Sequence, residues 1–104
     1  MTGVPMWILR NSSPDSDPLT FRLRAGGVKT VGRAPRADFV VDAALVSRLH
    51  CRLEAGDDNL DVIDLSSTNG TYVNGKRVER ARLGSGDRLR VGRVELTVER
   101  AQEG

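Results

Sequence analysis

The strongest local folding signal in the chain is the segment Thr71-Tyr72-Val73-Asn74-Gly75-Lys76-Arg77-Val78. In it, two short runs of residues that can form strands lie on either side of an Asn-Gly pair. Asn-Gly is the pair most typical of a type I′ turn, because both central residues of that turn need a positive φ angle. The segment therefore predicts a tight β-hairpin, in which one strand leads into the turn and the other returns from it.

Elsewhere in the chain, apolar side chains recur at every second position. The alternation runs through Leu19 to Arg24, Cys51 to Ala55 and Val94 to Glu99, and it is typical of strands with one buried face. Shorter apolar runs predict further strands at Met6 to Arg10, Val28 to Val31, Asp38 to Val41, Leu60 to Leu65 and Arg88 to Val91. Because no apolar period of about 3.6 residues persists for three turns, we predict an all-β sandwich whose two sheets bury their alternate residues against each other.

Length and composition are those of a single globular domain. The chain has 104 residues, of which 38% are hydrophobic and 29% charged, enough for one core and too few for two. No apolar run is long enough to span a bilayer, so we expect no membrane partner. We expect residues 1–5 to be a flexible leader, residues 6–100 to form the domain and residues 101–104 to be a flexible C-terminal end. The lone cysteine, Cys51, has no partner for an internal disulfide, which fits an intracellular location, cytoplasmic or, in a eukaryote, nuclear.

The charge distribution disfavours nucleic acid as a partner. The 16 basic and 14 acidic residues leave a net charge of only +2. Proteins that bind nucleic acid usually have a concentrated basic face with aromatic side chains on which bases stack. Here the aromatic residues are few. Acidic residues also interrupt the basic ones, since Glu79, Asp87 and Glu95 are interleaved with Arg77, Arg80, Arg82, Arg88, Arg90 and Arg93.

The polar segments between predicted strands carry the chemistry of an anion site. Arg33, Ser47-Arg48 and Thr68-Asn69 all lie between predicted strands, which places them on loops of the sandwich. Guanidinium groups bind two phosphate oxygens in parallel, hydroxyl groups donate to phosphate, and an amide can bind the backbone of an extended peptide. Each residue also has an ordinary interpretation, because arginines after turns are usually solvated and hydroxyl and amide side chains commonly form turns.

His50 and Cys51 are the residues to weigh for catalysis. Ser47, His50 and Asp64 could be written as a triad, but the sequence has no nucleophile elbow around Ser47. We expect His50 to hold the Ser47 loop in shape through hydrogen bonds, and Cys51 to be a small buried hydrophobic residue rather than a reactive thiol. With no metal-ligand spacing either, we expect no metal, no cofactor and no enzymatic activity.

Taken in order, these polar segments resemble the signature of the forkhead-associated (FHA) domain. The resemblance covers nearly the whole chain and is carried by Gly32-Arg33, Ser47-Arg48-Leu49-His50 and Asp64-Leu65-Ser66-Ser67-Thr68-Asn69-Gly70-Thr71-Tyr72-Val73-Asn74-Gly75. It implies an FHA-type β-sandwich of about eleven strands with the binding loops at one end. The implied function is that of an adaptor in Ser/Thr kinase signalling that recognises phosphothreonine in an extended peptide.

The resemblance also implies a role for each signature residue. Arg33 and Ser47 would contact the phosphate, Arg48 and Thr68 would help to hold it, and Asn69 would hydrogen-bond the peptide main chain. Other residues would shape or brace the loops without touching the ligand: Gly32, His50, Gly70, Asn74 and Gly75. The loop before Ser47, residues 42–46, would select the peptide residue three places after the phosphothreonine, and its small apolar residues favour an aliphatic one.

Two kinds of partner therefore remain open. The first is a Thr-phosphorylated protein or peptide, bound by a monomer that needs no cofactor. The alternative is a phosphate-independent protein–protein interaction, for oligomerisation or scaffolding, through a sheet face or an exposed edge strand. Binding that survives both the loss of Arg33 and phosphatase treatment would favour the alternative.

Overall fold

The structure is a computed structural model that describes residues 3–11 and 18–103, the last two of these by their backbone only. In these residues the chain forms eleven β-strands and no helix. The described part of the chain therefore contains no helix long and apolar enough to cross a membrane. In chain order the strands are β1 (Val4–Asn11), β2 (Thr20–Arg24), β3 (Val28–Gly32), β4 (Phe39–Val40), β5 (Cys51–Ala55), β6 (Leu60–Asp64), β7 (Thr71–Val73), β8 (Lys76–Val78), β9 (Arg80–Leu83), β10 (Arg88–Val91) and β11 (Val94–Glu103).

The strands form two sheets that pack face to face. One sheet has six strands in the order β2-β1-β11-β10-β7-β8, and the other has five in the order β4-β3-β5-β6-β9. Neighbouring strands are antiparallel except β3 and β4, which run parallel with Val31 beside Phe39. The prediction of an all-β sandwich is confirmed.

The core lies between the sheets and takes alternate residues from their strands. In β5, Cys51, Leu53 and Ala55 are buried, and the side chains between them are half-buried on the other face. Trp7 of β1 is fully buried, and its indole N–H donates to the carbonyl oxygen of Gly56 at 2.9 Å. Each fully buried aliphatic side chain contributes about 1.5–3 kcal/mol, so the period of two seen in the sequence is also the pattern that stabilises the fold.

The hairpin predicted at Asn74-Gly75 is confirmed. It joins β7 to β8, with Thr71 paired to Val78 and Val73 to Lys76. Asn74 has φ 50° and Gly75 has φ 83°, the two positive angles that a type I′ turn requires. The local sequence is sufficient to set this turn.

Both ends of the described chain enter the six-stranded sheet further than the sequence predicted. β1 begins at Val4 rather than Met6, and β11 continues to Glu103 rather than ending at Glu99. The reason is that the two ends pair with each other, Val4 opposite Glu103 and Pro5 opposite Gln102. Residues 4, 5 and 101–103 are therefore strand where a leader and a flexible end were expected. Residues 1, 2 and 104 of those segments, and residues 12–17 of the predicted loop between β1 and β2, lie outside the described residues.

Strand β9 was not predicted from the residue pattern. It follows β8 after the single residue Glu79, where the chain crosses from the six-stranded to the five-stranded sheet. β9 pairs with β6, and Arg80 on its outer side lies 3.1 Å from the Asp61 carboxylate and 3.7 Å from that of Glu54. This strand is formed by its pairing with β6, which the local residue pattern does not indicate.

Candidate functional site

Three loops meet at one end of the sandwich, because the strands that carry them are neighbours. Val31 of β3 pairs with Cys51 of β5, which pairs with Asp64 of β6. Between the loops lies an open cleft of about 560 Å³ lined by Arg33, residues 42–48, Thr68 and Asn69. We call it the arginine cleft. It contains all the side chains that the sequence analysis singled out for ligand contact: Arg33, Ser47, Arg48, Thr68 and Asn69.

Arg33 is held in place by the loop that it faces. Its backbone N–H donates to the carbonyl oxygen of Ser47 at 2.9 Å, and its side-chain Nε donates to that of Val46 at 3.1 Å. Neither terminal nitrogen of the guanidinium has a hydrogen-bond partner among residues 3–11 and 18–103. The side chain is therefore oriented by one donor while its two amino groups remain available to a ligand.

Gly32 is required because the Ser47 loop packs directly on the end of β3. A Cβ atom built on Gly32 would overlap the carbonyl oxygen of Arg48 and lie 2.9 Å from the Cα of Leu49. These are backbone atoms that cannot rotate away. The absence of a side chain at Gly32 allows the two loops to approach closely.

Ser47 and Thr68 join their loops at the floor of the cleft. The Thr68 backbone N–H donates to Ser47 Oγ at 3.0 Å. A hydroxyl oxygen can accept this bond while its own proton stays free to donate. Ser47 is half-buried and Thr68 exposed, so both hydroxyl groups can be reached from solvent.

Asn69 is tied to the loop on the other side of the cleft. Its Nδ2 donates to the carbonyl oxygen of Leu45 at 3.1 Å. The side-chain oxygen Oδ1 has no partner among the described residues. Asn69 is therefore exposed and positioned with an acceptor to spare.

His50 braces the cleft from beneath it. The imidazole is fully buried, accepts the Ser47 backbone N–H at Nδ1 over 3.0 Å, and lies 2.8 Å from the carbonyl oxygen of Gly70 through Nε2. Because Nδ1 accepts, the ring proton resides on Nε2 and is donated to Gly70. Both ring nitrogens are used by the backbone, as a bracing residue requires.

Asp64 organises the β6–β7 loop, a role that the sequence analysis missed. Its carboxylate accepts from the Ser67 hydroxyl at 2.5 Å, the Ser67 backbone N–H at 3.1 Å and the Thr71 hydroxyl at 2.7 Å. Burial alone would raise the pKa of Asp64, but these donors outweigh it and hold the pKa below its ordinary 3.8. The spacing of three residues between Asp64 and Ser67 could have indicated this role, since Asp side chains often accept from backbone N–H groups two or three residues later in the chain.

The cations of the cleft are not neutralised by carboxylates. Among the described residues no Asp or Glu forms an ion pair with Arg33 or Arg48, whereas other arginines of the chain do. The acidic residue that lines the cleft is Asp42, which is exposed. Guanidinium groups left unpaired on a concave surface attract anions.

Asn74 and Gly75 brace a different part of the molecule from the one expected. Asn74 Nδ2 donates to the Asp87 carboxylate at 3.1 Å, and its Oδ1 accepts from the Arg88 backbone N–H at 2.9 Å. These bonds connect the β7–β8 turn to the start of β10, and neither residue lines the arginine cleft. The sequence analysis placed both among the residues that brace the site loops, and only tertiary pairing shows where their bonds lead.

Cys51 is a core residue, as predicted. It is fully buried, and burial, followed by the negative charge of Asp64, raises the pKa of its thiol to about 12. The described residues contain no cluster of His, Cys, Asp and Glu that could hold a metal ion.

A β-sandwich that presents unpaired guanidinium and hydroxyl groups on loops at one end belongs to the class of scaffolds whose loops bind ligands. The FHA domain model matches residues 29–92, more than half of the chain, and the chain belongs to the FHA domain family. The resemblance noted in the sequence and the FHA-type sandwich are thereby confirmed. FHA domains are binding modules rather than enzymes.

Relatives and solved structures agree with this assignment. The glycogen accumulation regulator GarA of Mycobacterium tuberculosis is 36% identical over 69 residues, which are 66% of this chain and 43% of GarA. The FHA domain of the CT664 protein from Chlamydia trachomatis superposes with a TM-score of 0.84 at 25% identity, covering 90% of this chain and 96% of that domain.

A third comparison carries a ligand. EmbR of Mycobacterium tuberculosis, solved in complex with a low-affinity phosphopeptide, matches 95% of this chain and 25% of its own with a TM-score of 0.79 and 28% identity. The chain spans less than half the length of the curated relatives it matches.

Proposed function

We propose that this FHA domain binds Thr-phosphorylated proteins through the arginine cleft and acts as an adaptor in Ser/Thr kinase signalling. The observation that carries the proposal is the meeting of Arg33, Ser47, Arg48, Thr68 and Asn69, from three separate loops, around one open cleft. The phosphopeptide bound by EmbR and the family membership of the chain support it.

In this proposal the phosphate is held mainly by Arg33 and Ser47. Arg33 is already oriented by its bond to Val46, so little side-chain freedom is lost on binding. Arg48 adds a second charge, and the hydroxyl groups of Ser47 and Thr68 donate to the remaining oxygens. A phosphothreonine carries about −1.5 to −2 charges at pH 7, and each charge-assisted hydrogen bond contributes roughly 1.5–3 kcal/mol.

The peptide main chain is assigned to Asn69. Its free Oδ1 can accept an N–H of an extended peptide next to the phosphothreonine, while its bond to Leu45 keeps the amide in position. Preference for phosphothreonine over phosphoserine follows if the extra methyl group enters an apolar part of the cleft, a gain of roughly 1 kcal/mol.

Selection of the residue three places after the phosphothreonine is assigned to the loop of residues 42–46. The side chain of Leu45 is 46% exposed at the cleft, so an apolar side chain of a bound peptide can bury its surface there. An aliphatic peptide residue at that position is therefore expected to be preferred.

The proposal assigns no catalysis to the domain. Both ring nitrogens of His50 are bonded to the backbone and the ring is fully buried, so His50 is not placed to act as a general base. An affinity in the micromolar range, about −8 kcal/mol, suits an adaptor that must release its partner when the phosphate is removed.

The test is a titration of one peptide in three forms, carrying phosphothreonine, phosphoserine or threonine. We expect binding to fall in that order, with the unphosphorylated form at least about 100-fold weaker, because two or more charge-assisted bonds are lost. Arg33→Ala should abolish measurable binding while the circular dichroism spectrum stays that of the wild type.

The control for this experiment is Arg22→Ala, which removes the same charge from an exposed residue of β2 that does not line the cleft. It should bind within about twofold of the wild type, since distant surface charges are screened by salt. Equal affinity for the three peptide forms, or full binding by Arg33→Ala, would refute the proposal and favour a phosphate-independent interaction surface.

A further inference from the structure

A second hollow lies beside the arginine cleft and shares two of its arginines. It is lined by Arg33, Ala34, Pro35, Arg36 and Arg48 and has a volume of about 510 Å³. Arg33 and Arg48 line both hollows, so the two are directly adjacent. We call the second one the side hollow. Arg36, in contrast, lines the side hollow and not the arginine cleft. It is not one of the FHA signature residues named from the sequence.

Arg36 is presented by a constrained turn. The Ala37 N–H donates to the carbonyl oxygen of Ala34 at 3.0 Å, which closes a β-turn with Pro35 and Arg36 at its centre. Pro35 occupies the second position of this turn, where its ring sets the φ angle in advance. Ala37 is buried at the next position and fixes the turn to the body of the domain. The backbone that carries Arg36 is therefore held from both sides.

The acidic residue nearest to Arg36 in sequence, Asp38, is already engaged. Its carboxylate accepts the Thr30 backbone N–H at 2.9 Å and the Thr30 hydroxyl at 3.1 Å. In the part of the chain that the structure describes, Arg36 has no ion pair or hydrogen bond, and no Asp or Glu lines the side hollow. Three guanidinium groups thus border a concave surface without a carboxylate among them, which makes it attractive to an anion.

We propose that Arg36 is a specificity-determining residue: the side hollow binds a second anionic group on the same peptide, close in sequence to the phosphothreonine. This inference rests on the proposed function, because the first anion must occupy the arginine cleft. The shared arginines place the two anions beside each other, so a single extended peptide can supply both. The second anion is an Asp or Glu side chain or a second phosphorylated residue, which share a negative charge and a pair of oxygens to which a guanidinium can donate two parallel hydrogen bonds.

The test uses a set of phosphothreonine peptides that differ at one position. Each position from four before to four after the phosphothreonine is occupied in turn by Gln, Glu or phosphoserine, and the dissociation constant is measured at constant ionic strength. At one or two adjacent positions we expect Glu peptides to bind about twofold to fivefold more tightly than Gln peptides, the gain typical of an exposed ion pair. Phosphoserine should gain more there, because it carries nearly twice the charge.

The decisive variant is Arg36→Ala. It should remove the advantage of Glu and phosphoserine over Gln at those positions and leave the affinity for the Gln peptide within about twofold of the wild type. Arg22→Ala is the matched control, since it removes the same charge from an exposed residue of β2, in the other sheet and in neither hollow. It should keep the advantage in full.

The outcomes separate this inference from the function on which it rests. If binding requires phosphothreonine but no position favours an anion, or if the advantage survives Arg36→Ala, the side hollow is not a specificity site and the proposed function stands. If the wild type shows no preference for phosphothreonine over threonine, both fail together. A gain from phosphoserine without one from Glu supports the inference and identifies the second anion as a phosphate.

Discussion

His50 connects two loops of the arginine cleft from a fully buried position. Its two bonds, to the N–H of Ser47 and the carbonyl oxygen of Gly70, join residues that lie far apart in the chain. A buried backbone group that loses its partner costs about 1–3 kcal/mol. The shape of the cleft therefore depends on a side chain that no ligand touches.

We expect His50→Ala to lower the free energy of unfolding by about 2–4 kcal/mol, because it opens a cavity and leaves two buried backbone groups unpaired. Urea unfolding measures the loss. His50→Gln, whose amide can still donate to Gly70, should lose less. Identical unfolding midpoints for His50→Ala and the wild type would contradict the bracing role.

Asp64 makes stability depend on pH. Its pKa in the folded state lies below the ordinary value of 3.8, so its ionised carboxylate stabilises the fold above that value. The contribution is lost as the pH falls through the lowered pKa. We expect Asp64→Asn to be less stable than the wild type near neutral pH, and the gap to close progressively below pH 3.8.

Urea unfolding of both proteins at about pH 7, 5 and 3 checks this expectation. Asp57→Asn, the same change at an exposed turn residue, should stay within about 0.5 kcal/mol of the wild type near neutral pH. A gap between Asp64→Asn and the wild type that is unchanged in acid would show that ionisation of Asp64 does not stabilise the fold.

Strand β3 illustrates how one element positions two others. It pairs with β4 on one side and β5 on the other, and its last residue, Gly32, contacts the backbone of the Ser47 loop. The carbonyl oxygen of Gly32 also accepts the Val41 N–H at 2.8 Å. The end of β3 is thus the point at which the arginine cleft is joined to the sheet.

We expect Gly32→Ala to displace the loop that carries Ser47 and Arg48, because the new methyl group would overlap backbone atoms. Phosphopeptide affinity should fall at least about tenfold and stability by about 1–3 kcal/mol. Gly84→Ala is the control: its φ is not positive, and the nearest atom to an added Cβ, on Asp87, is 3.9 Å away. It should be neutral in both measurements, and equal behaviour of the two variants would show that the close approach at Gly32 does not matter.

The two sheets share one core, so ligand binding at one end should stabilise the whole domain. Trp7, the single tryptophan, is fully buried in that core and does not line the cleft. A phosphothreonine peptide at 100 times its dissociation constant should raise the free energy of unfolding by about 2.7 kcal/mol. Tryptophan fluorescence during urea unfolding measures the change, and the same shift with the unphosphorylated peptide would contradict phosphate-dependent binding.

Much of the fold was predictable because its signals are local. The alternation in β5 and β11 and the Asn74-Gly75 turn depend on residues next to each other in the chain. The residues expected to contact a ligand were named from a resemblance to the family signature, and the structure brings these residues together around one cleft. Strand β9 and the extended ends of β1 and β11 were not predictable, because pairing with distant strands formed them.

The amino-acid pattern alone was enough to establish an all-β sandwich, its tight turns and the polar residues that belong to its loops. The tertiary structure was needed to let Arg33 donate a hydrogen bond to the carbonyl oxygen of Val46 and to give His50 two backbone partners. It also places Arg36 in one hollow with Arg33 and Arg48. The two cases differ in how far apart in the sequence the interacting residues lie. A turn or an alternating strand is stabilised by neighbours in the chain, whereas a binding cleft is made by hydrogen bonds and close approaches between loops that only the packed sheets hold together.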